Sequence, residues 1–155
     1  MKNLLKEKLF DVFQKLDDFI TQYNTECSEG GGARIPRQEI RIVGQIALLM
    51  ADLPFPVFAT TDLDSITLIP HNVQKALNEF LFEYEMHIDP DGPKVWMPPD
   101  TQYLPLFDFL RVVVYYADPE SVILSKARFN RAKDKPLIEN FLRHYPHLKE
   151  KIMIL

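Results

Sequence analysis

Cysteine, glycine and long apolar runs are all scarce in this sequence of 155 residues. The single cysteine, Cys27, excludes an intramolecular disulfide and a zinc site built from several cysteines. No uninterrupted apolar run is long enough to span a membrane, and the charged segment 1–10 is unlike a secretory signal. A formal net charge of -4 argues against a protein that coats DNA or RNA. We therefore expect a soluble, cytoplasmic protein with no membrane partner.

Proline is abundant instead, with twelve prolines against five glycines, which predicts several short elements joined by stiff turns. The length and the apolar fraction of 46% fit one domain with its own core. We predict an α+β fold, a small mixed β-sheet flanked by helices. Its predicted parts are an N-terminal helix over 1–24, a flexible loop over 25–38, a sheet core over 39–117 and C-terminal helices over 118–155.

Apolar spacing and β-branched runs locate the strands within that core. The predicted strands are 40–43, an extended stretch over 57–68, 86–88, 94–97 and 111–116. The residues between 86–88 and 94–97 are turn formers, which predicts a hairpin. Asp118, followed by a proline and a glutamate, has the pattern of a helix N-cap.

Asp62 and Asp64 form the sharpest local feature. On a strand, residues two apart point to the same face, so these carboxylates repel each other and need a cation, hydrogen bonds or solvent to stay charged. Mg²⁺ suits such a pair, because it prefers oxygen ligands and commonly binds carboxylates together with phosphate oxygens. The alternative is a solvated strand end whose aspartates cap a turn.

Gly44 lies between a predicted strand and a predicted short helix. A glycine there lets backbone N–H groups approach a ligand closely, and a helix N-terminus favours an anion. The alternative is a glycine that only permits a tight turn. Together, a glycine turn and a carboxylate pair are the parts needed to hold a metal-bound triphosphate.

Two segments carry a resemblance to a known family. The stretch 41–49 followed by Thr60-Thr61-Asp62-Leu63-Asp64 resembles the nucleotidyltransferase superfamily (the DNA polymerase beta-like fold), in particular the small bacterial branch that includes abortive-infection toxins. The stretch 118–127 followed by 131–134 is similar to a second signature of that branch. The resemblance covers roughly residues 40–142 and implies a nucleotidyltransferase-like sheet.

The resemblance also implies an activity and a site. The protein would transfer an NMP from an NTP, held with Mg²⁺ or Mn²⁺, to an unidentified acceptor such as RNA, a protein or a small molecule, and an antitoxin would be a protein partner. Asp62 and Asp64 would hold the metal. The implied catalytic residues are Asp62, Asp64 and Asp108, and the implied nucleotide-binding residues are Gly44, Gln45, Lys126, Arg131 and Lys133. For the three cations, the alternative is a solvated helix face.

Two departures from the family pattern favour a second hypothesis, an inactive binding or regulatory module of the same fold. Gln45 stands where the family has glycine or serine. The family's third carboxylate is missing from the strand predicted over 94–97, which makes Asp108 the nearest replacement and Asp100 another. Trp96 and Tyr103 are candidates for a base-stacking pocket or, equally, for packing. A third hypothesis is a structural domain that dimerises through its first helix.

Overall fold

A computed structural model describes residues 2–155, with side chains from Leu4 onward, so Met1 of the predicted N-terminal helix lies outside the described residues. The α-helices are α1 (Lys2–Gly30), α2 (Gly44–Met50), α3 (His71–Phe82), α4 (Pro119–Phe129), α5 (Lys135–His144) and α6 (Leu148–Met153). The strands are β1 (Gln38–Val43), β2 (Asp62–Ser65), β3 (His87–Ile88), β4 (Tyr103–Asp108) and β5 (Val112–Ala117). Two 3-10 turns cover Gly92–Lys94 and Ala132–Asp134. This mixture confirms the predicted α+β class.

β1 lies at the centre of a five-stranded mixed sheet with the order β3-β2-β1-β5-β4. It runs parallel to β5 and antiparallel to β2, while β3 is parallel to β2 and β4 is antiparallel to β5. Val43, the last residue of β1, lies opposite Asp64 of β2. The register therefore places Asp64 at the end of β1 where α2 begins.

One face of the sheet is buried under α1, which packs against α3 and β5. Apolar residues of α1 at helical spacing are completely buried in the same core as Ile40 and Ile42 of β1; they are Leu9, Val12, Phe13, Leu16 and Ile20. Each such side chain contributes about 1.5–3 kcal/mol relative to an exposed one. Since side chains alternate along a strand and directly paired residues share a face, Val43 and Asp64 lie on the face opposite to Ile40 and Ile42.

α1 continues to Gly30, six residues beyond its predicted end, and the segment expected to be flexible is anchored. The Asn24 side chain donates a hydrogen bond to the Ile35 carbonyl oxygen (2.9 Å) and accepts one from the Ile35 N–H (2.7 Å). Gly31 ends the helix at φ +76°, a conformation suited to glycine. Because Asn24 satisfies both backbone groups of Ile35 in a buried position, this segment is held against α1.

The region after β2 differs from the predicted hairpin. Residues 94–97 do not pair with β3; instead the 3-10 turn that begins at Gly92 folds onto β2. A Cβ at Gly92 would lie 2.6 Å from the Ser65 carbonyl oxygen, so only glycine permits this close approach. Of the extended stretch 57–68, only Asp62–Ser65 forms a strand.

β4 was not predicted, whereas β5 confirms the strongest strand signal of the sequence. β4 contains Pro105, and its ladder with β5 is irregular between Pro105 and Phe107. A proline and an irregular register hide the alternation that identifies a strand. The predicted cap of α4 is confirmed, since the Asp118 side chain accepts a hydrogen bond from the Ser121 N–H (2.9 Å). No helix within the described residues 2–155 is long and apolar enough to cross a membrane.

Candidate functional site

Three aspartates come together where β2 and β3 end. Asp62 and Asp64 share one face of β2, as strand alternation requires. The parallel ladder pairs Asp62 with His87 of β3, and the Asp89 N–H donates to the Leu63 carbonyl oxygen (2.9 Å), which extends the ladder by one step. Asp89 therefore lies beside Asp64 at the next step of the ladder, and its carboxylate contributes to raising the pKa of Asp64. The structure thus brings the predicted pair together with a third acid.

The Asp64 carboxyl is the most strongly perturbed acid of this group. Burial and, after it, the neighbouring carboxylates of Asp89 and Asp62 together raise the pKa of Asp64 to about 7, while the Lys126 ammonium opposes them. Near neutral pH, Asp64 is therefore only partly ionised. A cation placed among the three carboxylates would restore the charged form.

Gly44 is required by this arrangement. It adopts φ +69°, and a Cβ there would lie 2.5 Å from the Asp64 Oδ2 atom. Any other residue would be strained at this positive φ, and its Cβ would clash with the Asp64 carboxylate. Glycine therefore lets this carboxylate lie against the start of α2. Since α2 spans only seven residues, we attribute the role of Gly44 to this close approach and not to the helix end.

A cleft of about 460 Å³ opens beside the carboxylates. Asp64 and Asp89 contribute acidic groups to it, and Lys126 and Arg131 contribute cationic ones. The remaining lining residues are Gly44, Asp91, Lys94, Val95, Val122, Ser125 and Phe129. One cavity therefore combines groups for a cation, groups for an anion and an apolar wall.

Asp134 holds the two cations in place. Lys126 is buried, and its Nζ lies 3.6 Å from Asp134 Oδ1, while Arg131 Nε donates to Asp134 Oδ2 at 2.9 Å. Burial lowers the pKa of Lys126, an effect that Asp134 partly offsets. An anion such as phosphate in the cleft would stabilise the charged lysine and form charge-assisted hydrogen bonds with both cations.

Two predicted nucleotide-binding residues do not line the cleft. The Gln45 side chain donates through Nε2 to the Phe58 carbonyl oxygen (2.9 Å), which ties α2 to the loop before β2. Lys133 is exposed in a 3-10 turn and acts on Lys126 only through its charge. Of the five predicted nucleotide-binding positions, the cleft therefore includes Gly44, Lys126 and Arg131.

Asp108 lies far from the other acids, which corrects its expected placement beside them. It stands opposite Val113, which pairs with Glu39 at the start of β1, whereas Asp64 pairs at the other end of β1. This register corresponds to roughly 13 Å along the strands, and β4 is three strands away from β2. Asp108 is 81% exposed and forms an ion pair with Arg37 (2.6 Å).

Asp89 is the acid that sequence reasoning missed. Asp89 is followed by the turn formers Pro90, Asp91 and Gly92, so the sequence pattern predicts only a turn at this position. The missed signal was its position directly after the strand predicted over 86–88. Only the parallel pairing of β3 with β2 shows that this position adjoins Asp64.

The suggested base-stacking pocket of Trp96 and Tyr103 is not assembled. The Arg128 guanidinium lies over the Trp96 ring (4.2 Å to the centroid), and the Arg41 guanidinium lies over the Tyr103 ring (4.7 Å). Neither aromatic ring lines the cleft. The aromatic residue that does line it is Phe129.

The carboxylates are not preassembled around a cation. Within residues 2–155, no group of three or more His, Cys, Asp and Glu side chains is arranged as a metal-ligand cluster. Asp62 Oδ1 lies 2.5 Å from His87 Nε2 on β3. Unlike Asp64 and Asp89, Asp62 does not line the cleft.

Comparison of the chain with protein-family models, curated proteins and solved structures finds no match. The cleft itself and the two sequence motifs are therefore the basis for assigning a function.

Proposed function

We propose that this protein binds a nucleoside triphosphate together with Mg²⁺ or Mn²⁺ in the cleft and transfers the nucleotidyl group to an acceptor. The observation that carries the proposal is that the carboxylates of Asp64 and Asp89 line one cavity together with Lys126 and Arg131, with Asp62 on the same face of β2 as Asp64. Carboxylates and cations in one cleft match a ligand made of a divalent cation and phosphates.

The residues present fit a divalent cation. Asp64 is only partly ionised because it is partly buried and lies near the carboxylates of Asp89 and Asp62, and a cation would stabilise its charged form. Asp62, Asp64 and Asp89 would hold the ion, all through carboxylate oxygens, which are the ligands that Mg²⁺ and Mn²⁺ prefer. An ion held there would supply positive charge beside the phosphate that is transferred and beside the leaving oxygen.

The protein's own groups bind and orient the triphosphate. Lys126 and Arg131 donate charge-assisted hydrogen bonds to phosphate oxygens, and Asp134 keeps both cations at the wall of the cleft. In the transfer, the oxygen of the acceptor hydroxyl forms a bond to the α-phosphorus and releases its proton to water, and the bond between that phosphorus and the oxygen bridging to the β-phosphorus breaks. Pyrophosphate leaves with this electron pair.

Asp89 supports the relation to the nucleotidyltransferase fold that the two motifs suggest. The family uses a third carboxylate on a strand beside the Asp-x-Asp strand, and Asp89 directly follows β3, the neighbour of β2. Of the two departures from the family pattern, the missing third carboxylate is then supplied by Asp89, and only Gln45 is left. The acceptor class and an antitoxin partner stay predictions that depend on the resemblance.

Binding and transfer experiments with matched variants test the proposal. We expect the wild-type chain to bind an NTP, measured by titration calorimetry, only when Mg²⁺ or Mn²⁺ is present. Asp64→Asn and Asp89→Asn should lose this metal-dependent binding, whereas Asp108→Asn should keep it. Equal behaviour of Asp89→Asn and Asp108→Asn, or no metal-dependent binding by the wild type, would contradict the proposed site.

The alternative function is a nucleotide-binding or regulatory module without catalysis. The contact between Asp62 and His87 favours it, because a carboxylate engaged elsewhere leaves the cation with fewer ligands. Incubation with NTP labelled at the α-phosphate separates the two functions. Release of pyrophosphate with retention of label on an acceptor supports the enzyme, and metal-dependent binding without release supports the module.

A further inference from the structure

We propose that Phe129 is the surface on which the cleft stacks the base of its nucleotide, so that the site distinguishes nucleoside triphosphates from inorganic polyphosphate and prefers purines. This inference rests on the proposed function and deepens it. Its observations are the exposure of Phe129, its place in the wall of the cleft and the guanidinium over its ring.

Phe129 is an exposed aromatic residue at a defined position. It is the last residue of α4 and is 66% exposed, although burying a phenylalanine in the core would stabilise the protein. Asn130 follows in the left-handed conformation (φ 56°), and its N–H donates to the Lys126 carbonyl oxygen (3.0 Å). This left-handed residue ends the helix and turns the chain between Phe129 and Arg131, which both line the cleft.

Arg131 supports the ring from one side. Its Cζ lies over the Phe129 ring, 5.6 Å from the centroid, and its Nε is held by the buried Asp134 carboxylate. A cation over an aromatic face is attractive, which restricts the orientation of the ring. With the guanidinium on one side of the ring, a flat ligand would stack on the opposite face.

The composition of the cleft selects the class of ligand. Val95, Val122 and Phe129 form its apolar wall, while Lys126 and Arg131 supply positive charge that would bind phosphates. A ligand that uses all of these groups has a flat, weakly polar ring joined to a polyanionic chain, as in a nucleotide. Stacking on an aromatic side chain tolerates any base, and the larger purine ring system covers more of the surface.

The test compares a nucleotide with a ligand that lacks the base. Titration calorimetry measures binding of Mg-ATP, Mg-CTP and Mg-tripolyphosphate to the full chain and to Phe129→Ala and Phe129→Leu. Stacking of one base on an aromatic residue corresponds to roughly a tenfold change in affinity. Phe58→Ala is the matched control, since Phe58 is 87% exposed and does not line the cleft.

We expect both Phe129 variants to bind Mg-ATP roughly tenfold more weakly and Mg-tripolyphosphate unchanged, with the ATP preference over CTP reduced. Unchanged binding of Mg-ATP, or an equal loss for ATP and tripolyphosphate, would overturn the stacking role alone, because the phosphate site would still be present in the wild type. Failure of the wild type to bind either ligand would overturn the proposed function and the stacking role together.

Discussion

Replacing Asp64 with asparagine should stabilise the metal-free protein above neutral pH. The folded state raises the pKa of Asp64 from 3.8 to about 7 through burial and through the Asp89 and Asp62 carboxylates. Folding therefore favours the protonated form, so the penalty is absent below pH 4, grows as the pH rises from about 4 to 7, and is complete above 7. Asparagine has no charge and avoids it, while its amide can donate to Asp89.

The magnitude follows from the same values. A rise of the pKa from 3.8 to about 7 corresponds to at most roughly 4 kcal/mol. The Asp64 side chain is partly exposed, so solvent screening reduces the expected gain to about 1–2 kcal/mol. For a protein of this length, such a gain raises the melting temperature by roughly 2–8 °C.

Thermal denaturation followed by circular dichroism at pH 5 and pH 8, with and without Mg²⁺, measures both effects. Mg²⁺ at 100 times its dissociation constant should stabilise the wild type by about 2.7 kcal/mol and so raise its melting temperature, and it should leave the melting temperature of Asp64→Asn unchanged. Asp108→Asn is the control, because Asp108 lies at the far end of the sheet and is exposed.

Two results would refute this reasoning. The first is an Asp64→Asn protein that melts at the same temperature as the wild type at pH 8, since neither burial nor the neighbouring carboxylates would then penalise the ionised form of Asp64. The second is an equal rise with Mg²⁺ in Asp64→Asn and the wild type, since the ion would then bind elsewhere.

Three further predictions concern the same region and its support. Gly44→Ala should lower the melting temperature more than Gly31→Ala, because both positions have a positive φ, which costs about 1–2 kcal/mol, but only Gly44 faces the Asp64 carboxylate. Asn24→Ala should cost about 1–3 kcal/mol in urea denaturation and should speed limited proteolysis after α1. Lys126→Met should raise the pKa of Asp64 further, measured by NMR titration of its carboxyl carbon, because it removes the positive charge that opposes the shift. A lowered pKa would contradict this electrostatic effect of Lys126 on Asp64.

The features that the sequence predicted correctly are those determined by interactions between residues near each other in the chain. Asp118 caps α4 as its chemistry requires, and the run of β-branched residues in β5 forms a strand. Asp62 and Asp64 share a face because strands alternate. Each of these features depends on residues close together in the chain, so it can be predicted without knowing the order of the strands.

The remaining features depend on contacts between distant segments. Asp89 joins the site only because β3 pairs in parallel with β2, which no local pattern indicates. The segment after α1 is ordered because Asn24 bonds the Ile35 backbone eleven residues away. Asp108 had a suitable side chain, but the order of the strands places it at the other end of the sheet.

The two outer strands of the sheet have a consequence for solubility. β3, at one edge, is only two residues long, and β4, at the other, contains Pro105, which has no N–H to donate to a further strand. Short edge strands and edge prolines prevent a second chain from extending the hydrogen-bonded ladder. Within the described residues, both edges of the sheet are therefore poor templates for strands from other molecules. We expect the folded protein not to aggregate through edge-to-edge strand pairing, even in concentrated solution.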